Sequence, residues 1–107
     1  MTYPFKKSKY YAVKTVVDGI TFHSKKEAKR YQELRLLEQA GVIANLELQE
    51  TFALEVSGVL VCKYRADFSY VENDAKVVED VKGFKTPEYK MKRLLMWAIH
   101  GIEILET

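Results

Sequence analysis

Cysteine is almost missing from this chain of 107 residues: Cys62 stands alone. No disulfide can form within the chain, and a reducing compartment is expected. Cys62 ends the apolar run Val59-Leu60-Val61-Cys62, where a buried, inert thiol is expected rather than a nucleophile. Long hydrophobic runs are also lacking. Nothing approaches the roughly 20 residues of a membrane span, and the charged N-terminus leads into no apolar segment of the secretory kind. These absences predict no membrane partner and a cytoplasmic location. Histidine occurs only as His23 and His100, without metal-ligand spacing. There is no internal repeat, low-complexity tract or linker. Net charge is small, +2, so bulk electrostatics argues only weakly for a polyanionic partner.

What is present is the composition of a folded domain: 48% hydrophobic and 30% charged residues. One domain over residues 1–107 is expected, with a modest core. Charge is unevenly placed. Lys6, Lys7, Lys9 and Lys14 precede the first acidic residue, Asp18, and Tyr3, Phe5, Tyr10 and Tyr11 lie among them. A basic arm over 1–11 of this kind suits phosphate contact with base stacking, and equally a solubilising terminus.

Two short apolar runs flank Asp18-Gly19, a hairpin signal. Ser24-Lys25-Lys26-Glu27 opens a helix as a capping box. Ala28, Tyr31, Leu34, Leu37 and Ala40 recur at helical spacing until Gly41 stops it. One or two strands follow, interrupted near Gln49-Glu50. A turn at Ser57-Gly58 leads to a returning strand over 59–70 that carries Asp67 near its end. A second turn at Glu72-Asn73-Asp74 leads to a strand over 76–82. Thr86-Pro87 starts a second helix, with Thr as cap and Pro in its first turn. Its stripe is read as Leu94, Leu95, Trp97 and Ala98, with Gly101 as stop. A last strand near 102–105 should lie parallel to an existing one. The order hairpin, helix, three-strand meander, helix, strand is that of an α/β fold with a mixed sheet covered by two helices.

Chemistry concentrates on Val78-Glu79-Asp80-Val81-Lys82-Gly83. Alternation puts Asp80 and Lys82 on one face and Glu79 on the other. Asp67, on the preceding strand, should lie close to Asp80. Two close carboxylates repel unless a cation neutralises them or one takes up a proton. All-oxygen donors open to water favour Mg²⁺ or Mn²⁺. Such a metal acidifies water and polarises a phosphodiester. Lys82 beside it can activate water or offset transition-state charge, and Gly83 allows close approach of a backbone. A plain Asp80–Lys82 surface pair would also explain the strand. Glu27 has two readings as well: its capping role, or a third ligand from a helix face it shares with Tyr31 and Leu34. Lys85, Lys90 and Lys92 can contact phosphates or form a solvated helix face.

Glu27 on the first helix, Asp67 ending a strand and Asp80-Val81-Lys82 on the next resemble the PD-(D/E)XK nuclease superfamily. Ser24 to Tyr31, Tyr64-Arg65-Ala66-Asp67-Phe68, the Val-Glu-Asp-Val-Lys-Gly strand and the Thr-Pro helix look like a family of small phage-borne proteins within it. Ala66 departs from the superfamily's proline. The resemblance implies a restriction-endonuclease-like αβββαβ core after the N-terminal β-hairpin, and Mg²⁺-dependent hydrolysis of DNA phosphodiesters, with Mn²⁺ able to substitute. It implies Glu27, Asp67 and Asp80 as acidic site residues, Lys82 as the catalytic lysine, and the Val81 carbonyl as a further metal ligand. Similar layouts in junction resolvases suggest structure-selective cleavage of branched DNA, in the host cytoplasm if the chain is phage-encoded. A chain with one site needs a homodimer to cut both strands. The competing function is a non-catalytic module that binds DNA or phage replication or recombination proteins through Lys6, Lys7, Lys9 and the second helix.

Overall fold

The computed structural model describes residues 14–82 and 85–107. The expectations placed on Lys6, Lys7, Lys9 and Gly83 lie outside these residues. Strands β1 (Thr15–Val17) and β2 (Ile20–Phe22) form the expected hairpin. Asp18 and Gly19 both have positive φ, as a two-residue turn matching the strand twist requires. Phe22 is thereby swung onto helix α1 (Lys25–Gln39), against the Tyr31 ring.

Helix α1 begins where Ser24 Oγ accepts the Glu27 N–H at 3.1 Å. Glu27 Oε1 does not close the box on Ser24 but accepts the His23 N–H at 3.2 Å. The C-terminal end is a Schellman motif: Gly41 N–H donates to Glu38 O and Val42 N–H to Leu37 O. Ala28, Tyr31 and Leu34 form the buried stripe.

Strands β3 (Ala44–Leu48) and β4 (Thr51–Val56) run out, and β5 (Val59–Arg65) and β6 (Phe68–Glu72) run back. The returning strand expected over 59–70 is thus split at Ala66-Asp67, directly opposite the break at Gln49-Glu50. The cause is a shared bend. Gln49 takes φ +59°, while Gln49 N–H donates to Asp67 O at 3.1 Å and Ala66 N–H to Glu50 O at 3.0 Å. Pairing keeps the same register on both sides: Leu48 faces Phe68 before the bend and Thr51 faces Arg65 after it. The long hairpin bends without slipping.

Strand β7 (Ala75–Asp80) pairs antiparallel with β6 through a turn at Asn73-Asp74. Helix α2 (Pro87–Leu95) is capped by Thr86, whose Oγ1 accepts the Tyr89 N–H at 3.1 Å. Strand β8 (Leu105–Glu106) then lies parallel to β7. The result is α/β: a mixed sheet of order β3-β6-β7-β8, two helices and an N-terminal hairpin.

Two cores sandwich β7. On the α1 side, Phe22, Tyr31, Leu34, Ile43, Phe68 and Tyr70 pack together, with Val77 and Val81 at their margin. On the α2 side, Leu54, Tyr64, Val78, Tyr89, Met96 and Ile104 form the second, with half-buried Cys62 at its edge. The stripe expected on α2 needs correction. Leu94 and Trp97 are 65% and 61% exposed and Ala98 is exposed, whereas Tyr89 and Met96 are buried. Leu94 to Ile99 is apolar without interruption, so the pattern defines no face. A π-helical turn over Met96–His100 also rotates the following side chains away from α-helical phase. Among the described residues, no helix is long and apolar enough to cross a membrane.

Candidate active site

The acidic pair follows from the β6–β7 ladder. Phe68 faces Glu79, so the next step sets Asp67 opposite Asp80. Like charges directly opposite are destabilising unless something offsets them. Asp67 Oδ2 accepts the Val81 N–H at 2.8 Å, tying the bend to the end of β7. Burial, the Asp80 charge and, more weakly, Glu27 push the Asp67 carboxyl up to about 8, against the lowering effect of the Val81 N–H. At neutral pH the Asp67 carboxyl therefore keeps its proton.

Asp80 is 3% exposed and has a partner at each oxygen. The Tyr64 hydroxyl donates a short hydrogen bond to Oδ2. Lys82 Nζ stands 3.3 Å from Oδ1 and 4.3 Å from the centre of the Tyr89 ring. Burial first, and then the Asp80 carboxylate, raise the Tyr64 pKa, which keeps this phenol a donor. Lys82 is therefore gripped by a carboxylate and an aromatic face, an arrangement that holds an ammonium in place. The Lys82 carbonyl accepts from Lys26 Nζ at 3.1 Å, and its N–H donates to Thr107 O at 3.2 Å.

Two hollows meet at Lys82. One, of about 240 Å³, is lined by Glu27, Gln49, Arg65, Asp67, Val81 and Lys82. The other, of about 540 Å³, is bordered by Lys63, Tyr64, Arg65, Asp80, Tyr89 and Lys92. Glu27 is thus both cap and wall: its carboxylate is held by the His23 N–H, yet it faces the hollow of Asp67. Gln49, bent by its positive φ, lines that hollow too. Tyr64 entered the sequence reading only as part of the Tyr64-to-Phe68 motif, and nothing in the sequence pointed to Tyr89 as a site residue. Period-two placement on β5 and helical placement on α2 are compatible with burial and give no sign of the hydroxyl and ring that grip Asp80 and Lys82.

The donors suit a hard cation. All are oxygens, and a cation that displaces the Asp67 proton would leave two negative charges, of which Lys82 offsets one. Among the described residues, no three His, Cys, Asp or Glu side chains gather in a metal-holding group. Two carboxylates nonetheless fit Mg²⁺, which keeps several waters and takes one or two protein carboxylates. Of the other lysines singled out, Lys85 pairs with Glu106 at 2.8 Å and Lys92 with Glu88 at 3.2 Å, while Lys90 is exposed on α2.

A family model described as "Protein of unknown function (DUF1064)" matches residues 7–100. The chain belongs to that family. The matched span takes in both helices and the π-turn, the acidic pair and Lys82, and leaves β8 outside. No curated protein and no solved structure matches the chain.

Proposed function

We propose that the chain is a metal-dependent DNA endonuclease with a restriction-endonuclease-like core, acting on phosphodiester bonds and selective for branched structures. The observation that carries this reading is the Asp67–Asp80 pair with Lys82 fixed 3.3 Å from Asp80. A buried Asp67 carboxyl set opposite Asp80, its pKa pushed up by burial and by that charge, destabilises the fold when it ionises, and a strained acid of this kind beside a clamped lysine is characteristic of functional sites.

Asp67 and Asp80 are the side chains that would hold the cation, with the Val81 carbonyl adjoining. Bound there, Mg²⁺ or Mn²⁺ would supply an acidified water and neutralise charge on the phosphoryl oxygens. Lys82 is the group that orients the attacking water and offsets charge developing on the phosphate. Tyr64 holds Asp80 in one rotamer, and Tyr89 keeps Lys82 from swinging to solvent. Glu27 adds negative charge at the Asp67 end, which favours a cation and a water there over a bare phosphate.

The test is cleavage of duplex, single-stranded, flap and four-way DNA with Mg²⁺ or Mn²⁺. Cleavage that EDTA abolishes is expected. Salt-sensitive DNA binding with no cleavage in either metal, unchanged by Asp67→Ala, would replace this reading with a non-catalytic binding module.

A further inference from the structure

The β4–β5 hairpin is a two-stranded ribbon with unlike faces. Its inner face, Phe52, Leu54, Cys62 and Tyr64, packs beneath α2 and the π-turn. On the outer face Lys63 and Arg65 sit two residues apart, about 6.6 Å along a strand. Their cross-strand neighbours are Ala53 and Thr51, which carry no charge. Neither cation has an ion-pair partner among the described residues, unlike Lys82, Lys85 and Lys92. Both border the hollow into which Asp80 and Lys82 open.

Beyond them the ribbon ends in apolar side chains. Val59 and Val61 are 63% and 57% exposed, and Val56 and Leu60 are about half exposed. Leu54 faces Cys62 and Glu55 faces Leu60, so Val61 is the extra residue of a β-bulge. A bulge adds right-handed twist and re-aims the strand beyond it. Four exposed aliphatic residues at a ribbon tip are a liability in water unless something covers them.

We infer that this ribbon is a DNA-docking element of the proposed nuclease site: Lys63 and Arg65 hold backbone phosphates next to the scissile one, and the apolar tip seats against base faces exposed at a branch or opened step. The occupant follows from charge. The unpaired cations of the ribbon are continuous with the acidic site, and an anionic strand leaving that site must cross them. A two-stranded ribbon fits a DNA groove, and aliphatic side chains pack against bases that have lost a stacking partner. The inference rests on the nuclease reading for the position of the scissile phosphate, but the ribbon's affinity for DNA is measurable without any cleavage.

The experiment uses the full chain, with EDTA present, and follows fluorescence anisotropy of labelled duplex and four-way DNA across a salt series. The Lys63→Ala/Arg65→Ala double variant should bind both DNAs about tenfold more weakly, with a salt slope lower by about 2. The Val59→Ser/Val61→Ser variant should keep its duplex affinity and lose any preference for the junction. All four positions are exposed, and thermal melts by circular dichroism confirm folding. Unchanged affinity and slope in the double variant would overturn the inference even if the unaltered chain cuts DNA. DNA binding that depends on Lys63 and Arg65, with no cleavage in any metal, would sustain the ribbon and remove the nuclease. If Val59→Ser/Val61→Ser instead turns a dimer into a monomer by light scattering and leaves junction preference intact, the tip is a protein interface and the inference fails.

Discussion

Glu79 and Asp80 are consecutive carboxylates on β7, both closed off from solvent, yet their surroundings differ in kind. Glu79 faces α1 and is fully compensated. Arg30 meets it in a fork, at 2.6 Å through Nε and 3.1 Å through Nη2, while Tyr70 and Thr107 hydroxyls donate at 2.6 and 3.0 Å. Its lone pairs are satisfied, and its partner guanidinium is raised well above the ordinary arginine range by that bond. Asp80 faces the other way and, though Tyr64 and Lys82 meet its two oxygens, it stands opposite a second carboxylate across the ladder. A fold can bury an acid in either manner. Only the first is a structural solution, and the contrast singles out the second as a place where stability has been given up.

Substitutions at the two positions should therefore part company. The largest effect is expected on cleavage. Asp80→Asn should lower the rate at least about 100-fold while leaving the melting temperature level or higher, and Glu79→Gln should retain most of the activity of whatever protein folds. Equal losses from the two would erase the distinction. Next is stability: Glu79→Ala, which leaves Arg30 and two hydroxyls without their acceptor, should cost about 3 kcal/mol in urea unfolding. A cost below that of an ordinary surface substitution would show that the Arg30 fork contributes little.

Asp67 sharpens the comparison through pH. Its folded-state pKa, about 8, lies above that of an unfolded aspartate. Its contribution to stability is thus fully present below about pH 4 and is lost as pH rises through about 8. Without divalent cation, Asp67→Asn should be more stable than the parent by about 1 kcal/mol or more near pH 8, and the gap should close as pH falls toward 4. Added Mg²⁺ should narrow the gap at pH 8 from the other side by stabilising the parent. A gap that is flat with pH would mean that Asp67 ionises freely.

The smallest effect concerns Glu106, held down to about 2 first by Lys85 and then by Tyr89, and also by Arg93. This group has the opposite sign: its contribution is present above an unfolded glutamate's pKa and is lost as pH falls toward 2. Because the cluster lies partly in solvent, Glu106→Gln should cost only about 0.5 kcal/mol at neutral pH, and less in high salt. Acid titration of the melting temperature in the two proteins checks it.

Much of this layout is legible in the sequence. Asp18-Gly19, Ser57-Gly58 and Asn73-Asp74 carry turn chemistry that depends on local sterics alone, and all three have positive φ at both central residues. Caps at Ser24 and Thr86 are equally local. Period-two alternation was enough to separate Glu79 from Asp80. The bend at Gln49-Glu50 and Ala66-Asp67 was half visible, as an interruption on one strand only, because a bend shared by two strands is a property of their pairing. Trp97 misled because an unbroken apolar run names no face and the π-turn alters the phase. The grip of Tyr64 and Tyr89 on Asp80 and Lys82 arises from contacts across the second core, which no spacing along the chain reports.

The bend has a mechanical consequence. Register passes through it without a slip, and hydrogen bonds cross it from both strands. It is a corner built into a continuous ladder, so the ribbon is joined to the acidic pair by paired backbone rather than by a loop. The span from Val61 to Asp67 is then a gauge, and on the proposed reading the chain would measure its cut from wherever the tip comes to rest. A shorter or longer ribbon, trimmed or extended by residue pairs so that alternation survives, would move the break by a set interval rather than blur it.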